Sequence, residues 1–148
     1  MYPVEVQKDM SILCLDVGDR TIGIAVSDSL RIIASGIGQL RRDKPEKNKE
    51  LEHIKSLVFQ HEVDKLVVGL PLNMKGEEGE QAKRVRNFVD ELSSAIEIPV
   101  VLFDERLSTV EAEKVLRQAK VSPLKRRKVK DKIAATVILQ NYLDSQRP

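Results

Sequence analysis

The 148-residue sequence contains no tryptophan, and aromatic residues make up only 3% of it. That scarcity argues against a platform that binds unpaired bases by stacking. Cysteine is represented by Cys14 alone, which excludes an internal disulfide; inside an apolar run it reads as a buried core thiol. The two histidines, His53 and His61, lie on or just after a charged helical stretch and have no cysteine or histidine at zinc-ligand spacing. No apolar run approaches the length a bilayer requires. The opening residues MYPVEVQKDM lack the apolar stretch and small-residue cleavage site of a signal peptide, so the expected location is cytoplasmic, with no membrane partner. A net charge of +2 is too small to identify a polyanion partner.

The charge is, however, unevenly distributed. Residues 120–132, KVSPLKRRKVKDK, hold seven bases and one acid. Hydrophobic residues at 41% and charged ones at 32% fit a globular domain with a real core, and the length suits one such domain. The expected division is a leader at 1–10, a single domain at 11–145 and a tail at 146–148.

Hydrophobic periodicity divides the chain further. Ile12 to Val17 reads as a buried strand ending at Gly18, Thr21 to Ser27 as a second, and Ile32 to Leu40 as a third, interrupted by Gly36 and Gly38. Short links between them suggest an antiparallel meander. The period then changes: Leu51, Ile54, Leu57 and Val58 mark an amphipathic helix within the charged run from Arg41 to Glu62. Leu66 to Gly69 is a short strand, Ala82, Val85, Phe88, Val89 and Leu92 mark a helix, and Ile98 to Phe103 is another strand. Val110, Val115, Leu116 and Ala119 mark a third helix, opened by a capping box of Ser108 and Glu111. The basic segment with Pro123 reads as a loop, followed by a last helix from about Val129 to Leu143. The expected fold is α/β: a mixed five-stranded sheet, three antiparallel strands and then two parallel ones, flanked by helices.

Three acids stand out. Asp16 interrupts an apolar strand, where a carboxylate needs a partner or a metal ion, although a cap on the Gly18 turn would also account for it. Asp104 and Glu105 follow another apolar strand, at the sheet edge where α/β proteins place functional groups; a turn paired to Arg106 is the structural alternative. Asp131 falls in the expected first turn of the last helix, where the dipole favours a carboxylate. Converging, Asp16, Glu105 and Asp131 could hold hard cations: two Mg²⁺ or Mn²⁺ ions, about 4 Å apart in sites of this kind, serve phosphodiester cleavage.

The segments DVGDRTIGIAVSD (16–28), GLPLNMKGEEG (69–79), DERLSTVEA (104–112) and DKIAATVILQNYL (131–143) occur in order. Together they resemble the bacterial YqgF family, described as Holliday-junction resolvases or as nucleases that process the 5′ end of pre-16S rRNA, with a ribonuclease-H-like fold. The resemblance implies that Asp16, Glu105 and Asp131 are the catalytic and metal-binding acids, with Asp104 the alternative to Glu105. Two positions depart from the family pattern: Thr21 stands where arginine is common, and Leu72 where lysine is frequent.

Nucleic-acid contacts are expected from Arg20, from Asn73 and Lys75 in the glycine-containing loop, from Arg106, and from Lys125, Arg126, Arg127 and Lys128. The partner is then a structured RNA or branched DNA, and the oligomeric state is open between a monomer and a weak homodimer. A non-catalytic RNA-binding assembly factor would keep the same basic surface. A sugar-kinase or actin-like ATPase shares the strand and D-x-G opening but needs two lobes.

Overall fold

The computed structural model describes residues 10–42, 47–105 and 123–147, without side-chain detail for 47–48 and 123–132. The elements are β1 (Ser11–Val17), β2 (Thr21–Ser27), β3 (Ala34–Arg41), α1 (Lys47–Gln60), β4 (Val63–Leu70), α2 (Glu80–Ala95), β5 (Val100–Asp104) and a last helix, here α3 (Pro123–Ser145). The strands form one sheet in the order β3-β2-β1-β4-β5. The first three pair antiparallel, and β4 and β5 join parallel to β1, as expected from the change of period.

Side chains alternate across a strand, so β1 divides its residues between two cores. Leu13, Leu15 and Val17 join Ile54 of α1 and Ala82, Val85, Phe88, Val89 and Leu92 of α2 on one face. Ile12 and Cys14 join Ala135, Ile138, Leu139, Tyr142 and Leu143 of α3 on the other. Cys14 is buried, as its apolar setting requires. No helix among the described residues is long and apolar enough to cross a membrane.

Several boundaries differ from the sequence expectation: β4 begins at Val63 rather than Leu66 and β5 at Val100 rather than Ile98, and larger departures occur elsewhere. The third strand begins at Ala34 rather than Ile32, because the Asp28 carboxylate accepts the N–H groups of Ile32 at 2.7 Å and Ile33 at 2.9 Å and holds both in the turn. Those bonds keep the Asp28 carboxyl below its ordinary range, the Ile33 bond most of all. The glycines within β3 do not end it. Ile24 and Ala25 of β2 pair with Gly38 and Gly36, leaving Ile37 as an extra residue in a bulge, and Gly38 supplies a backbone with φ of 145°.

The charged run from Arg41 also divides: Arg41 ends β3 opposite Thr21, and α1 begins at Lys47. The largest difference lies in α3, which starts at Pro123, so Lys125, Arg126, Arg127 and Lys128 are helical rather than in a loop. Proline is tolerated in a first turn because its missing N–H would have no helical acceptor there. Arg106 and the expected third helix, including Ser108 and Glu111, lie outside the described residues.

Candidate active site

On the face covered by α3, the apolar rows end in polar groups. Ile12 and Cys14 of β1 lead to Asp16, Val67 of β4 leads to Gly69, and Val101 and Phe103 of β5 lead to Glu105 just past the strand. All three strands are parallel, so these positions share the carboxyl edge of the sheet. The Glu105 N–H continues the β4 ladder by donating to the Leu70 carbonyl at 3.3 Å.

Asp16 and Glu105 are brought together, and their carboxyls share a hydrogen bond. Burial, then the Asp16 charge, that hydrogen bond and the Asp104 charge push the Glu105 carboxyl from 4.5 up to about 8. Asp104 is exposed, as the period of two requires of a neighbour to an inward-facing residue. Of the two acids, Glu105 is thus the one that lies beside Asp16. Burial, then the charges of Asp16 and Glu105, push the Cys14 thiol up, so it is an apolar filler beneath the pair rather than a nucleophile.

Glycine flanks Asp16. Gly23 of β2 is its cross-strand partner, and Gly69 lies one step past the Leu15–Val68 pair on β4. Among the described residues, Glu105 Oε2 is buried with no hydrogen-bond partner. Two adjacent carboxyls, one with an orphaned buried oxygen, form an all-oxygen donor set that fits a hard divalent cation. Among the described residues no three His, Cys, Asp or Glu side chains gather into such a site.

Asp131 lies eight residues after Pro123, well inside α3 rather than in its first turn. The dipole argument for this residue therefore fails, since the effect fades within one turn. Its backbone position is still informative: Asp131 precedes Ala135 by four residues and Ile138 by seven, the spacing of one helical stripe. Ala134 and Ala135, both buried, let α3 approach the sheet closely there.

The expected nucleic-acid contacts have mixed placements. Arg20 is exposed in the β1–β2 turn directly after Asp16. That turn is fixed by Gly18 N–H to the Thr21 carbonyl at 2.8 Å, by Arg42 Nη1 to the Gly18 carbonyl at 2.6 Å, and by an Arg84–Asp19 ion pair at 3.0 Å. Asn73 instead organises its own loop: its Oδ1 accepts the N–H groups of Lys75 and Glu77, both at 2.9 Å. Lys75 is exposed on this loop. Arg42 and Arg84 were missed from sequence, where nothing distinguishes them from other surface cations. Gly69 was missed as a site position, because what occupies its side-chain space is visible only in the folded chain.

A sequence profile of the RuvX family, described as Holliday junction resolvase, matches residues 10–145. A relative from Thermoanaerobacter pseudethanolicus is 49% identical over 139 residues, covering 93% of this chain and 99% of its own, and is named as a candidate pre-16S rRNA nuclease. Another of that name, from Halothermothrix orenii, is 49% identical over 137 residues, covering 93% and 96%. Among solved structures, Thermus thermophilus RuvC in complex with a Holliday junction substrate aligns with a TM-score of 0.57 at 14% identity, over 93% of this chain and 95% of that one. The fowlpox virus resolvase with Holliday junction DNA also reaches 0.57, at 13% identity, over 94% and 100%. The chain belongs to the RuvX (YqgF) family and has a ribonuclease-H-like fold.

Proposed function

We propose that this chain is a divalent-cation-dependent nuclease that cleaves structured nucleic acid and processes the 5′ end of pre-16S rRNA. The observation that carries the reading is the Asp16–Glu105 pair at the carboxyl edge of the sheet, with its orphaned Glu105 Oε2. An uncompensated buried carboxyl of this kind is costly unless a proton or a cation satisfies it. Asp16 and Glu105 would hold the cation, with Asp131 as the third ligand by its place on the α3 stripe. Bound Mg²⁺ or Mn²⁺ supplies a lowered pKa for the attacking water and charge stabilisation at the leaving oxygen.

The chain's own contribution is positioning and exclusion of water. The apolar rows of β1, β4 and β5, covered by Ile138 and Leu139 of α3, close the floor beneath the acids, so the carboxyls open toward the loops. Arg20 and Lys75 stand on loops at that same edge, and Lys125, Arg126, Arg127 and Lys128 belong to the start of α3, the helix that carries Asp131. Cations there offset the repulsion that an acidic site exerts on a phosphate backbone.

The choice of pre-16S rRNA follows the names of relatives 49% identical over nearly the full chain. Cleavage in the cytoplasm would follow from that substrate. Junction resolution is the competing reading, favoured by the description of the family.

Purified protein is incubated with Mg²⁺ or Mn²⁺ and either a pre-16S 5′-end RNA or a four-way DNA junction. Cut RNA, with loss of cutting in Asp16→Asn and in EDTA, is the expected result. Equal background cleavage by wild type and Asp16→Asn refutes catalysis at this site, and cleavage of the junction alone refutes the choice of RNA.

A further inference from the structure

The space above Gly69 is occupied. A Cβ built on this residue would stand 2.3 Å from Glu105 Oε2, 3.1 Å from Glu105 Cδ and 2.9 Å from Ile138 Cδ1. Real Cβ atoms do not approach other heavy atoms so closely. The Glu105 carboxyl therefore rests on bare β4 backbone, in a seat that exists because position 69 has no side chain. The seat is roofed by the end of Ile138, which belongs to the α3 core.

The physical consequence is selective. The atoms in the way are the ends of flexible side chains rather than backbone, so a methyl group here displaces the carboxyl before it disrupts the sheet. Displacement changes how the Glu105 carboxyl sits against Asp16, whose own backbone is paired in the β1–β2 ladder. We propose that Gly69 is a positioning residue of the active site: its missing side chain seats the Glu105 carboxyl against Asp16 and thereby sets the affinity of the pair for a divalent cation. This rests on the reading of Asp16 and Glu105 as cation ligands. It adds a residue that touches neither cation nor substrate and acts through Glu105 alone.

The test combines Mn²⁺ binding, followed by the loss of the free-ion electron paramagnetic resonance signal, with thermal melting in EDTA. Gly69→Ala is expected to bind Mn²⁺ at least about tenfold more weakly, the scale at which misplaced support around a metal ligand acts. Adding Ile138→Val, which removes the Cδ1 contact, should not restore the affinity. In a Glu105→Ala background the seat is vacant, so Gly69→Ala should lower the melting temperature less than it does in wild type.

Wild-type Mn²⁺ affinity in Gly69→Ala overturns the proposal. So does restoration by Ile138→Val, or an equal melting loss, or failure to fold, with and without Glu105, because Gly69 would then serve backbone or helix packing. If the wild type itself binds no Mn²⁺, the cation reading fails and with it the claim about affinity. The melting comparison still decides independently whether Gly69 seats Glu105.

Discussion

Glu105 holds its proton more tightly in the folded chain than in the unfolded one, its carboxyl being raised from 4.5 to about 8. Linkage then fixes the direction of a pH effect. The contribution of this group to stability is fully present below about pH 4.5, falls as the pH rises, and is lost once the folded carboxyl ionises near pH 8. In EDTA, the melting temperature of wild type is expected to fall through that window more steeply than that of Glu105→Gln, whose amide does not titrate. Parallel melting curves for the two from pH 5 to 9 would contradict this. The sequence left Asp104 as the alternative to Glu105, but Asp16 was legible as a candidate, because a carboxylate that interrupts an apolar strand is anomalous. Gly69 was not, since the absence of a side chain acquires meaning only when a distant residue is found to occupy its space.

Among the elements, α3 departs most from its sequence signal. Its first turns are rich in basic residues, so hydrophobic periodicity is weak there and becomes clear only toward Ala134, Ala135, Ile138 and Leu139, which are buried. β1 and β2 were read almost to the residue, because apolar continuity is imposed by burial on both sides of the sheet, whereas β4 starts three residues before Leu66 and β5 two after Ile98. The bulge in β3 was invisible, as pairing register is a property of two strands and two glycines in one of them do not reveal it. Lys125, Arg126, Arg127 and Lys128 fall on helical backbone rather than in a loop. Replacing all four with alanine should weaken RNA binding and flatten its salt dependence by roughly 0.7–0.9 log units for each phosphate that is no longer neutralised. An unchanged slope would show that this segment touches no phosphate.

At the scale of the whole molecule, the proposed cation site would couple binding to folding, since the unfolded chain does not bring Asp16 and Glu105 together. Mn²⁺ at a hundredfold excess over its dissociation constant should stabilise the fold by about 2.7 kcal/mol, and EDTA should reverse the gain. A melting temperature indifferent to Mn²⁺ would argue against a preformed cation site. Assembly bears on the substrate: symmetric resolution of a four-way junction needs two sites related by a twofold axis, whereas trimming an RNA end needs one. The half-buried Asp16–Glu105 pair also places opposite pressures on the chain over evolutionary time. Selection for stability alone would replace these acids by apolar residues that continue the rows of Cys14 and Phe103. A lineage that kept the fold for RNA binding but abandoned cleavage should lose this pair first, becoming a tougher protein as it ceased to be an enzyme.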